Sequence, residues 1–234
     1  MAKTILQIGQ DAALKLGIDQ PTELFGASNR EDKELFLAIE EAAADLLQAH
    51  EWQKLRTINT ITGDGSDLDF ALPSDFDRLI TDPQMYTSEF KTALSFVPEP
   101  DDWLRYEVQS YDFVINVWTL YGDEIHTKPA LGSGVTAKHW YVSNLIFQRT
   151  GAGATDDEIA ADDDVFLLDD LALMLGAVYK FRQNKGQPYA EEMADYEKRK
   201  AKLILRDGGK MVVRSAPAIG RGVKLSYPEA VSNA

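Results

Sequence analysis

The sequence predicts an α+β protein, mainly α: an antiparallel helical bundle with an inserted β-rich region and an extended C-terminal arm. Three observations lead there. Stretches toward both ends repeat apolar residues at helical spacing, as in Ile5, Ile8, Ala12 and Leu16. Between them lie short β-branched and aromatic runs cut by turn formers. After Gly208 the periodicity stops, and glycine, proline and serine mix with scattered Val, Ile and Leu. The division that follows gives residues 1–51 and 162–207 to a helical bundle, 52–161 to a β-rich insertion with loops, and 208–234 to the arm.

Each element has its own local reason. Residues 3–17 read as a helix, widened by Leu6 and Ala13 and closed by Gly17. The loop GIDQPTELFGASNRED is rich in turn formers. A second helix runs from about Asp32 to Ala49, with Leu35, Ile39, Ala42 and Leu46 inward and Asn29 as its N-cap. Thr57, Asn59, Thr60, Ile61 and Thr62 form a strand before the Gly63-Asp64-Gly65 turn. The runs LDFAL, FDRLI and FKTALSF follow, and EPDDWLRYEVQSY suits one short helix. FVINVWTLYGDEIHTKP reads as two strands around the Tyr121-Gly122-Asp123 turn, and HWYVSNLIF as a further β segment. Helical spacing returns near Asp164 through Leu167, Leu171, Leu175, Val178 and Phe181. Asp162, Asp163 and Asp164 stand at its start and Lys180, Arg182 and Lys185 at its end, both signs favourable to the helix dipole. Gly186 closes it, Pro188 suits the opening of the next helix, and that helix runs to about Arg206.

Composition narrows the function classes. The chain has 234 residues, of which 44% are hydrophobic and 10% aromatic, and a chain of this size buries roughly 70% of its unfolded surface. Cysteine is absent, so disulfides, thiol nucleophiles and cysteine-ligated metals are excluded. No apolar run approaches the ~18 residues of a membrane span, and the N-terminal residues are broken by polar ones, so a soluble protein made in a cytoplasm is expected. The net charge is −14, and it is uneven. From Lys198 onward nine basic residues face two acids, giving +7, which leaves −21 for the rest.

No catalytic constellation emerges. His50, His126 and His139 lack the paired spacing of a zinc helix, and His50 at a helix C-terminus needs no further role. The acids Asp156, Asp157, Glu158, Asp162, Asp163 and Asp164 fail the calcium-loop pattern, because Ala161 and Leu167 stand where glycine and glutamate are needed. They read as a solvated loop and helix-start acids. Gly132-Ser133-Gly134 reads as a turn, and neither a phosphate loop nor a G-x-S-x-G is present. With 38 acids some carboxylate pair always exists, so a carboxylate-dependent hydrolase has no specific mark. The basic C-terminal stretch carries one aromatic after Tyr196, Tyr227, which suits a docking arm better than a nucleic-acid tail.

Several segments together resemble a known family. They are ALKLGI, EWQKL, LPSDF and the run DDDVFLLDDLALMLGAVYKFRQNKGQPYAEEMADYEKRKAKL, with Tyr179, Phe181 and Arg182 near the end of its first helix. Over about residues 1–207 the chain resembles the head-to-tail adaptors of tailed bacteriophages, the tail-accessory or tail-tubular type. The family pattern has a tryptophan-arginine pair where this chain has Tyr179, Phe181 and Arg182.

The resemblance implies a structural virion protein without cofactor, metal or turnover. It implies a homo-oligomeric ring of about twelve copies, bound to the portal protein on one side and to tail or nozzle proteins on the other. Its place would be the neck of the virion, after synthesis in the bacterial host cytoplasm, and DNA would pass through without specific binding. Arg214, Ile219, Arg221, Val223 and Tyr227 of the arm are the expected portal contacts. An acidic lumen repels phosphate, so the six acids between Asp156 and Asp164 are the expected channel-facing residues. Another phage neck or tail-completion protein is the first alternative, and a cell-wall hydrolase the second.

Overall fold

The computed structural model describes residues 2–89, 93–108, 116–151 and 153–208. The arm residues Arg214, Ile219, Arg221, Val223 and Tyr227 lie outside the described residues.

Helix α1 (Ile5–Leu16) begins at a capping box: Thr4 accepts from the Gln7 N–H, and the Gln7 side chain accepts from the Thr4 N–H. Gly17 ends it in the left-handed region at φ 74°, where a Cβ would be strained. Helix α2 (Arg30–Ala49) is capped by Asn29, as the sequence predicts, and ends at His50. Helix α4 (Asp170–Asn184) opens on Asp169, whose side chain accepts from the Ala172 N–H. Helix α5 (Ala190–Asp207) follows after a short turn. The sequence reading placed Asp162, Asp163 and Asp164 at the start of α4, but the helix begins six residues after Asp164, and Asp169 and Asp170 supply the acids at its positive end.

These four helices form one layer with α4 at its centre. Leu173, Gly176, Ala177, Val178 and Phe181 are all buried, so α4 is covered on most of its circumference by α1, α2 and α5. Gly176 lets the helices approach: a Cβ there would stand 2.7 Å from the Ala42 Cβ and 3.1 Å from the Tyr196 ring.

The middle of the chain builds strands β1 (Arg56–Thr62), β2 (Asp69–Ala71), β3 (Phe76–Leu79), β4 (Gln84–Thr87) and β5 (Leu94–Phe96), then helix α3 (Pro100–Val108). Strands β6 (Val117–Tyr121), β7 (Glu124–Lys128) and β8 (Thr136–Ser143) complete the large sheet. Its order is β1-β8-β4-β5-β6-β7-β2, with β3 also on β8, and only β5–β6 among these pairs is parallel. Every strand on that path sends an apolar side chain into one core: Ile61, Ala137, Met85, Leu94, Trp118, Ile125 and Phe70. The sheet therefore curls on itself toward a barrel. A small sheet of β9 (Phe147–Gln148), β10 (Thr155–Asp156) and β11 (Val165–Phe166) closes the space under the helices.

This corrects the expected fold class. The described residues are 39% helical and 23% strand, and the large sheet holds eight strands with a core of its own. The protein is not a mainly-α helical bundle carrying a β insertion. The physical reason is that the strands are two to eight residues long. Their alternation is too brief to stand out beside helices of up to 20 residues, yet once curled they enclose a full interior.

Two devices join sheet to helices. Strand β8 serves both cores, with Ala137 in the barrel and Val142 under the helices. The Arg78 guanidinium on β3 donates to the Leu47 and His50 carbonyls, each at 2.9 Å. It thereby satisfies the last turn of α2 at the negative end of the helix dipole.

Candidate functional site

The acidic segment from Thr155 to Asp164 is held by specific bonds. Asp164 is 1% exposed, and its carboxylate accepts from the Ala160 and Ala161 N–H groups at 2.8 and 2.9 Å. The Asp162 carboxylate accepts from the Leu24 and Phe25 N–H groups. The backbone carbonyls of Asp164 and Asp162 take the Ile5 and Leu6 N–H groups, which begin α1 and otherwise have no helical acceptor. Asp156 pairs with Arg149, whose hydrogen bond holds the carboxyl down to about 2. Asp157 accepts from the Asn144 amide. Of the six acids, Asp157, Glu158 and Asp163 are exposed, Asp156 and Asp162 are half-buried, and Asp164 is buried. The segment thus fastens the N-terminal helices to the small sheet, and three of its carboxylates face solvent.

The histidines fall into three settings. His50 ends α2 and stacks edge-on against Trp52. His126 bonds through Nδ1 to Asp69 at 2.6 Å and through Nε2 to the Tyr121 carbonyl at 3.1 Å, with the Tyr121 ring stacked on it at 3.6 Å. Both nitrogens thus have partners, across β2, β6 and β7. His139 lies inside the barrel opposite Asn59, 5.2 Å from the Trp118 ring, and neither of its nitrogens has a partner. Burial lowers it to about 4.

Of the segments quoted for the resemblance, EWQKL connects α2 to β1, LPSDF runs into β3, and the long run spans β11, α4 and most of α5. In EWQKL, Glu51 accepts from the Thr81 N–H and hydroxyl, both at 2.6 Å. The Trp52 indole donates to the Leu46 carbonyl, and the Gln53 N–H donates to Asp207 at the end of α5. In LPSDF, Asp75 accepts from the Tyr141 hydroxyl at 2.8 Å, and Phe76 stacks on the Tyr141 ring. Burial and Asp75 together push that hydroxyl up. Around the α4–α5 turn, Tyr179 packs against Tyr196 at 5.2 Å and Arg182 pairs with Glu192 at 2.7 Å.

Surface features complete the description. The outer face of β1, β8 and β4 exposes Ile58 directly opposite Trp140, with Tyr86 opposite Lys138. A cleft of about 320 Å³ lies between Leu46, Trp52, Leu203 and Arg206. Three of the charges at its rim are engaged: Asp169 takes the Arg199 fork, Lys54 donates to the Leu167 carbonyl, and Asp207 accepts from the Gln53 N–H. Among the described residues no group of three or more His, Asp or Glu is placed to hold a metal ion, and no helix is long and apolar enough to cross a membrane.

Sequence reasoning missed the roles of Arg78 and Asp162 because their side-chain partners are remote in sequence, and that of Asp164 because its carboxylate caps the loop amides just before it rather than the helix after it. Arg78 sits 31 residues from Leu47, and Asp162 sits 138 residues from Leu24. The free side of β1 was legible only as a β-branched run, RTINTIT. Neither a protein-family model nor a curated protein matches this chain in sequence.

Proposed function

We propose that the chain is a structural subunit of a tailed-phage particle, a head-to-tail adaptor that forms a ring between the capsid portal and the tail and extends the DNA channel. One observation carries this reading. Two of the segments that resemble the adaptor family, EWQKL and LPSDF, make contacts between elements: Glu51, after α2, accepts from Thr81 beyond β3, Gln53 ties the approach to β1 to Asp207 of α5, and Asp75 ties the approach to β3 to Tyr141 of β8. They are architectural signatures, and an architectural signature suits a protein whose work is to hold neighbours in register. The exposed acids Asp157, Glu158 and Asp163 are consistent with a surface over which DNA slides. The basic arm, with Arg214, Ile219, Arg221, Val223 and Tyr227, is the proposed portal contact.

The test is native mass spectrometry of the protein alone and mixed with the portal protein from the same genome. The expected result is portal-dependent assembly with about twelve copies per portal ring. A protein that ignores the portal but joins another neck component is a tail-completion protein instead, and the adaptor reading fails.

A further inference from the structure

Strand β1 has one satisfied side and one free side. The Gly63 N–H donates to the Val135 carbonyl at 2.8 Å, which fixes the phase of the ladder with β8. Thr57, Asn59 and Ile61 therefore turn their N–H and C=O groups toward β8. Arg56, Ile58, Thr60 and Thr62 turn theirs the other way. Among the described residues no strand is hydrogen-bonded on that side, because the sheet order begins at β1. Ile58 is 46% exposed, and Arg56, Thr60 and Thr62 are exposed as well. A seven-residue, β-branched open edge is a template for another strand.

The chain itself delivers a candidate to that edge. Helix α5 ends with Asp207 bonded to the Gln53 N–H at 2.8 Å. Gln53 opens the 3-10 turn that leads into Arg56, and that turn advances only about 6 Å. Two residues of extended chain span about 7 Å. Gly208, which ends α5, thus lies within reach of the start of β1. The residues after it read Gly209, Lys210, Met211, Val212, Val213, Arg214, a short β-branched run with a proline at 217 to stop it. Residues 209–234 hold four bases and one acid, so the segment is +3 against −17 for the rest of the −14 chain. It is attracted to the body it leaves.

We propose that residues 210–215 of the same chain add to the open edge of β1 as a parallel strand; the pairing uses backbone groups alone, so it leaves the Arg214 side chain, and Ile219, Arg221, Val223 and Tyr227 beyond the strand, to other contacts. This inference does not depend on the adaptor reading.

Amide hydrogen exchange read residue by residue on the full-length chain tests it. The wild type is compared with a full-length variant carrying Val212→Pro and Val213→Pro, which removes two donors from the added strand. The Ile58, Thr60 and Thr62 amides are expected to exchange at least about tenfold faster in the variant. Thr57, Asn59 and Ile61, bonded to β8, serve as internal controls and keep their rates. Equal rates at Ile58, Thr60 and Thr62 in the two proteins would overturn the proposal. Protection that grows with protein concentration would also overturn it, since the strand would then come from a second copy.

Discussion

His139 shows how one side chain can set an acid limit on the fold. Its ring is 1% exposed inside the barrel with both nitrogens unpartnered, and burial lowers it from 6.5 to about 4. Above pH 6.5 the ring is neutral in both folded and unfolded chains. Between pH 6.5 and 4 the unfolded chain accepts a proton that the folded one refuses, so stability falls as pH falls through that window. The lowered value corresponds to about 3 kcal/mol lost by pH 4. His139→Leu removes the titrating group. Urea unfolding of both proteins should show the variant gaining about 3 kcal/mol on the wild type between pH 7 and pH 4. A constant difference across that range would show that the barrel admits the protonated ring. Arg78 works in the opposite sense, as a charge retained because the Asp77 carboxylate and two helix-end carbonyls receive it.

Among the elements, the α2–α4–α5 contact depends on a missing side chain. Gly176→Ala would place a Cβ 2.7 Å from the Ala42 Cβ and 3.1 Å from the Tyr196 ring, and both neighbours are fully buried. The helices must part, at a cost of about 1–3 kcal/mol. Thermal unfolding should record a lower midpoint, and an unchanged midpoint would mean that α4 can shift within its layer. The elements also show what the sequence made legible. Asn29, Gly17 and the Tyr121-Gly122-Asp123 turn act on their immediate neighbours, and their roles were readable. The weight of the sheet was not readable, because β5 is three residues long and pairs in parallel with a strand more than 20 residues away. The acidic segment misled for a related reason. Asp162 and Asp164 look like helix-start acids when read locally, and only the folded chain brings the Ile5, Leu6, Leu24 and Phe25 amides to that segment.

For the whole molecule, charge and architecture act together. The net charge of −14 gives duplex DNA little to bind, because affinity for DNA comes mostly from neutralised phosphates. An electrophoretic mobility assay at physiological salt should show no retained duplex. Retention that weakens steeply with added salt would reveal a phosphate-binding face and count against a passive channel. The helical layer is assembled from both sides of the barrel in sequence, and this has a consequence for the order of events on the ribosome. Leu24 must wait for Asp162, 138 residues further along, which at about 5–20 residues per second is roughly 7–30 s of synthesis. All eight strands of the barrel emerge during that wait. The nascent chain can therefore carry the curled eight-stranded sheet while its first two helices still show their apolar faces to solvent, and that interval is when a chaperone has most to offer this protein.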